Sequence, residues 1–255
     1  MLNSVGYFGF WTYYQYTGDL ETIRSVYPAV KRYMSLWKIG DDGLLVSRGG
    51  SWTDWGENKD HPVLFNVWYY LALRGQKLMA EAIGETADIP DIEARMGSIE
   101  KNFNKTFWTG TEYRSPGYGG QTDDRANAMA VIAGFAGPDK YPALLEVFRK
   151  QAHASPYMEK YVLEALCIMN EPEFAQERIK QRFAKMVNHP EYTTLWEGWG
   201  IGAEGFGSGK WDSDIQSMVV ASIISGLLGS LGGFWVGTSY SSSKKDDQLA
   251  RERAR

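Results

Sequence analysis

Apolar residues recur at helical spacing along most of this chain, and the runs are broken at intervals by glycine, proline and aspartate. That alternation confines the fold to short helices laid side by side. Residues 7–16 read as one helix, ended by Gly18. Asp19 then suits the N-cap of a second helix through Ile23, Val26, Val30, Met34 and Trp37. A loop over residues 40–58 carries two turn signals, Asp41-Asp42-Gly43 and Gly49-Gly50. A third helix is expected over 63–83 and a fourth over 88–103, followed by a short β-hairpin at 108–113. Two further pairs follow, 124–134 with 141–152 and 156–169 with 172–187. A glycine-dense loop, 196–209, precedes a final apolar segment.

The rhythm is helix, turn, helix, with chemically interesting residues collected in every second connection. Helical hairpins repeated in this way build an (α/α) toroid, and an α-solenoid shares the rhythm; the absence of a short consensus repeat points to the toroid. The expected class is therefore all-α, a partial (α/α)6 toroid with one short β-hairpin in a loop.

Composition narrows the function. A net charge of −4 and no basic stripe argue against a nucleic-acid partner. His61, His153 and His189 are scattered without metal-ligand spacing, so the reading calls for no metal and no other cofactor. Cys167, the single cysteine, lies in the apolar run 162–169 and reads as an inert core thiol. The N-terminal stretch lacks the charged segment and apolar run of a secretory leader. Aromatic residues make up 14% of the chain, many of them beside Gly or Asp rather than inside apolar stripes. Aromatic faces stack on the C–H faces of sugars, although a helical core can also use them as filler.

Three stretches carry chemistry. In Ser51-Trp52-Thr53-Asp54-Trp55-Gly56-Glu57, two indoles bracket a carboxylate in a loop. A sugar site needs that pairing of flat apolar face and hydroxyl acceptor; a capping Asp54 with inward-packed tryptophans fits the same residues. In Gln121-Thr-Asp-Asp-Arg-Ala-Asn127, Asp123 and Asp124 suit a helix start, with Arg125 as an ion-pair partner. In Thr193-Thr-Leu-Trp-Glu-Gly-Trp-Gly200, Glu197 lies between Trp196 and Trp199 on a stretch too glycine-rich for a helix. Apolar neighbours raise a carboxyl pKa, and an enclosed carboxylate facing a water is how a general base is built.

Thr193-Thr-Leu-Trp-Glu-Gly-Trp199 resembles the general-base segment of glycoside hydrolase family 78, the α-L-rhamnosidases. Four other stretches match in the same order: 10–19 with 27–32, Asp54-Trp55, 122–128 and 157–166. The resemblance covers roughly residues 5–209. It implies an (α/α)6 barrel that hydrolyses terminal α-L-rhamnosides with inversion, one carboxylic acid protonating the leaving oxygen and a second carboxylate activating water. On this analogy Glu197 is the base, and Asp54, Trp55 and Trp199 line the sugar pocket, joined by Trp52 and Trp196. The resemblance implies a rhamnoside substrate, and it allows a periplasmic or extracellular setting without fixing one.

Two departures shape the expectation. The family's general acid sits in an Arg-Asp-Glu-like stretch upstream of the helix pair that opens this chain, and no such stretch stands here. The chain accordingly reads as the later part of a catalytic domain, with very low activity by itself. After Gly209 the family's Asn-His pair is replaced by Trp211-Asp-Ser-Asp-Ile-Gln-Ser-Met218. The uncharged segment 215–236 has the length of a membrane span but reads as the closing barrel helix, so a membrane partner is not expected. The domain is placed at 1–236, with 237–255 a disordered charged tail. A non-catalytic carbohydrate-binding or scaffold module on the same frame is the competing reading. The sequence leaves oligomeric state open.

Overall fold

The computed structural model describes residues 2–48, 52–192 and 194–200. The segment at 215–236 and the tail at 237–255 lie outside them. The chain divides into two compact units, Met1–Asn188 and His189–Arg255.

The first unit is helical. A short α1 (Leu2–Val5) leads through a wide π-helical turn, Tyr7–Trp11, into α2 (Thr12–Thr17). Then come α3 (Leu20–Met34), α4 (His61–Ile83), α5 (Ile89–Phe107), α6 (Asp124–Ile132), α7 (Tyr141–Lys150), α8 (Pro156–Ile168) and α9 (Pro172–Val187). Gly18 ends α2 with a left-handed φ of 68°, a conformation that costs glycine nothing, and Asp19 caps α3 by accepting the Thr22 N–H. Trp37 lies beyond the end of α3, yet its ring is buried against Phe65 and Tyr69 of α4.

Burial separates the helices into two layers. α4 and α6 are buried almost all round: α6 exposes only part of Ile132, and α4 buries residues on every face between Val63 and Ile83. By contrast α5 buries only Ile92, Ile99, Phe103 and Phe107, and α7 only Leu144, Val147 and Phe148. A helix with one apolar stripe belongs outside, and one that is apolar throughout belongs inside. The packing agrees, because α4 and α6 touch, α6 and α8 touch, and α3, α5, α7 and α9 each pack on an inner neighbour. The result is an inner row of α4, α6 and α8 with an outer helix following each.

The opening segment joins the inner row by close approach. A Cβ on Gly75 of α4 would lie 2.2 Å from the backbone nitrogen of Tyr7, and one on Gly6 would lie 2.3 Å from Ala72 Cα, so both positions require glycine. Phe8 then packs edge-on against Trp68 of α4 and Tyr161 of α8, with ring centroids 6.2 and 5.1 Å apart.

Two expectations need correction. The hairpin at 108–113 is a single antiparallel bridge between Trp108 and Tyr113, with no ladder beyond it among the described residues. Beyond it the Glu112 N–H turns to Thr109 Oγ1 at 3.2 Å, while the Tyr113 N–H faces away from the pair and donates to Asn127 Oδ1 at 2.7 Å. Cys167 is exposed rather than a core thiol. The inward face of α8 is carried by Tyr161, Val162, Ala165 and Leu166, and residue 167 falls on the opposite side of the turn.

Candidate functional site

The inner helices all begin at one end of the unit, and each begins at a side-chain cap: Asp60 for α4, Asp123 for α6 and Ser155 for α8. Orphan N–H groups at helix starts attract carboxylates, and here the carboxylates also tie the loops together. The Asp60 N–H donates to Asp123 Oδ2 at 2.8 Å, and the Ser115 N–H donates to Asp60 Oδ2 at 2.7 Å. The Ser155 N–H donates to Asp54 Oδ2 at 3.0 Å, and the His153 N–H to Asp124 Oδ1 at 3.1 Å.

Two buried arginines complete this end. Arg125, 0% exposed, donates from Nε to Asp123 Oδ1 at 2.6 Å and from Nη1 to Asp54 Oδ2 at 3.0 Å and the Trp55 carbonyl at 3.1 Å. Its Nη2 donates to the carbonyls of Glu57 and Asn58, both at 2.7 Å. Arg178 of α9 reaches inward to Glu159 Oε1 at 2.5 Å, Asp124 Oδ2 at 2.8 Å and the carbonyls of Phe148 and Gln151. Arg182 adds an ion pair to Glu159 Oε2 at 3.1 Å.

The electrostatics follow from burial opposed by pairing. Burial pushes the Asp54 carboxyl above its ordinary range, while Arg125 and the Ser155 N–H pull it back. Asp123 is pushed up to about 6 by burial, against the pull of Arg125. Burial also raises Glu159, in spite of Arg178 and Arg182. Burial alone would lower Arg125, but the carboxylates of Asp123 and Asp54 outweigh it and raise the guanidinium.

Asp54 and the tryptophans on either side of it form a rim at this end. Trp52 and Trp55 meet edge to face with centroids 5.9 Å apart, and Trp52 meets Tyr157 of α8 at 5.4 Å. The Tyr157 hydroxyl accepts from Asn3 Nδ2 at 2.8 Å. All three rings are partly exposed. Asp54 is buried; its Oδ2 is taken by Arg125 and Ser155, whereas its Oδ1 has no hydrogen-bond partner among the described residues. A buried carboxylate oxygen left open is costly unless something else donates to it.

Asp54 is therefore not the cap that the sequence also allowed; Asp60 caps α4, and Asp54 cross-links loops. Arg125 does more than the single ion pair expected of it, and Arg178, Glu159 and Tyr157 join the site although the sequence did not mark them as candidates. The signal for the arginines was faint: an Arg in a predicted helix looks the same whether it faces water or a buried carboxylate. His61 and His153, far apart in the chain, both come to the 53–58 loop, His61 Nδ1 3.2 Å from Thr53 Oγ1 and His153 Nδ1 3.5 Å from Asn58 Nδ2. Burial lowers the pKa of both.

The remaining candidates belong to the second unit. Trp196 and Glu197 are buried, 6% and 8% exposed, and Trp199 is half-buried. Trp196 lies edge-on to His189 at 5.2 Å, so the Trp-Glu-Gly-Trp stretch is packed rather than an open loop, while Leu195 beside it is exposed.

Inner and outer helices in hairpins, with loops interlocked at one end of the inner row, define the frame of the six-hairpin glycosidases. Solved structures carry it: the family 78 glycoside hydrolase rhamnosidase of Bacillus sp. GL1 superposes with a TM-score of 0.62 at 22% identity, over 73% of this chain and 21% of that one. The α-L-rhamnosidase of Dictyoglumus thermophilum does so with a TM-score of 0.61, also at 22% identity, over 74% and 23%. This chain thus spans less than a quarter of the length of those two proteins. No curated protein sequence gives a significant match. Residues 3–214 match the bacterial α-L-rhamnosidase six-hairpin glycosidase domain, and the chain belongs to that family.

Proposed function

We propose that this chain forms the later part of an inverting α-L-rhamnosidase catalytic domain, spanning residues 1–236, with Glu197 as the general base. Asp54, Trp55 and Trp199, joined by Trp52 and Trp196, are assigned to binding the terminal sugar. The general acid comes from residues outside this chain. In this scheme Glu197 takes a proton from a water that attacks the anomeric carbon, while the acid protonates the departing oxygen from the other face. The two carboxyl groups stand about 6.5–9.5 Å apart to admit that water.

The observation that carries the reading is Asp54 Oδ1. It is a buried carboxylate oxygen without a donor among the described residues, in the same loop as the Trp52 and Trp55 rings. A sugar ring offers both things such a place lacks, a C–H face for the indoles and a hydroxyl for the carboxylate. The burial of Glu197, which the sequence frames with Trp196 and Trp199, supports its assignment, because a general base works on a water held out of bulk solvent.

The test is hydrolysis of an aryl α-L-rhamnoside by this chain and by a version extended upstream. Activity is expected in the extended form only, and Glu197→Gln in that form should lower kcat by about 10²–10⁴-fold. Equal activity in both forms would overturn the assignment of the acid. Rhamnose binding that survives Glu197→Gln but fails on Trp55→Ala, with no hydrolysis in either form, would make the chain a carbohydrate-binding module.

A further inference from the structure

The guanidinium of Arg125 has five N–H bonds, and each one has an acceptor. One goes to Asp123 at the start of its own helix; the other four go to the 54–58 loop. Three of those four acceptors are backbone carbonyls, of Trp55, Glu57 and Asn58. A guanidinium kept only to neutralise buried carboxylates would not need them. The loop it holds also contains two left-handed residues, Gly56 at φ 75° and Asn58 at φ 53°. A non-glycine residue in that region stays there only when its surroundings hold it. The carbonyl of Asn58 is held by Arg125, and its side-chain oxygen by the Gln121 N–H at 3.0 Å.

We propose that Arg125 is the positioning residue of the aromatic rim: it fixes the path of the 54–58 loop, and through Asp54 the register of that loop against α8. The inference rests on the reading of the rim as a sugar site. Through Asp54 Oδ2, which also accepts the Ser155 N–H, one guanidinium ties the Trp52–Trp55 pair to Tyr157, two residues into α8. Lys59 also reaches the Asp54 and Gly56 carbonyls, but it closes the loop on itself and fixes nothing to the inner helices. Lysine cannot replace arginine at 125. It keeps the charge, but it has three donors instead of five and no planar fork to span carbonyls on both sides.

The experiment compares the full chain with its Arg125→Lys and Arg178→Lys variants by hydrogen–deuterium exchange, with rhamnose titrations followed by tryptophan fluorescence. Arg178 is the control, a second buried arginine whose acceptors are Glu159, Asp124 and the carbonyls of 148 and 151. Arg125→Lys should speed exchange over 54–59 by about tenfold or more and weaken rhamnose binding by a similar factor, while Arg178→Lys leaves 54–59 at the wild-type rate. Unchanged exchange over 54–59 in Arg125→Lys, or an equal rise in Arg178→Lys, overturns the proposal. Should Arg125→Lys not fold, the wild type decides: amides over 55–59 must exchange at least about tenfold slower than free peptide, and unprotected amides overturn the proposal. A wild type indifferent to rhamnose defeats the sugar-site reading, and the exchange rates still decide what Arg125 does to the loop.

Discussion

The backbone N–H of Ser155 donates to the carboxylate of Asp54 at 3.0 Å, joining the loop before α4 to the N-cap of α8 from 101 residues away. The same oxygen receives Arg125, so removing Asp54 strips a buried cation and a buried N–H of their partner together. Asp54→Ala should destabilise the protein by about 3–5 kcal/mol, the range for breaking a buried pair from one side. Asp54→Asn keeps an acceptor for both donors and should cost less. Urea unfolding of the three proteins measures the difference, and equal losses in both variants would show that the charge, not the hydrogen bonds, is what matters.

Glycine substitutions separate a packing position from a merely helical one. Gly75→Ala should destabilise by about 1–3 kcal/mol, because its Cβ would lie 2.2 Å from the Tyr7 nitrogen and backbone cannot swing aside. Gly97→Ala in α5 meets nothing within 4 Å and should stabilise by about 1 kcal/mol through helix propensity alone. Opposite shifts in Tm are the expected result, and a stabilising Gly75→Ala would contradict the close approach of the opening turn to α4.

Asp123 gives the first unit an acid-side advantage. Its folded pKa is raised to about 6, chiefly by burial, from an ordinary value of 3.8. The folded state therefore holds the proton more tightly, and this contribution is full below about pH 4 and lost as pH rises through 6. Asp123→Asn removes the titration. Between pH 4 and 7 the wild type should lose stability relative to Asp123→Asn, as read from denaturant midpoints.

Asp19 behaves in the opposite sense. Hydrogen bonds from Thr22, and then from Tyr13, hold its carboxyl at about 2. A depressed folded pKa contributes stability that is present above about pH 4 and lost as pH falls through 2. Asp19→Asn keeps a competent cap without the charge. The stability gap between wild type and Asp19→Asn should be open at pH 6 and closed near pH 2, and a gap independent of pH would refute the assignment.

Local chemistry made much of the fold legible. Asp19 and Gly18 marked a helix boundary because capping and left-handed turns are decided within four residues. The bounds expected for α9 are the observed ones, and those for α4 differ by two residues at one end, since each is a long periodic run with a clear stop. Cys167 was misread because an apolar run does not say which side of a helix faces in; only the packing of α8 on α6 and α9 settles that. The pairing of Trp52 and Trp55 with a carboxylate stood in the sequence, as did the framing of Glu197. The fold supplied what spacing could not. It chose Asp60 over Asp54 as the cap, turned Arg125 and Arg178 inward, and brought Tyr157 to Trp52. Ion pairs between residues 71 or 54 positions apart leave no periodic trace, because their energy depends on burial that exists only after the helices have packed.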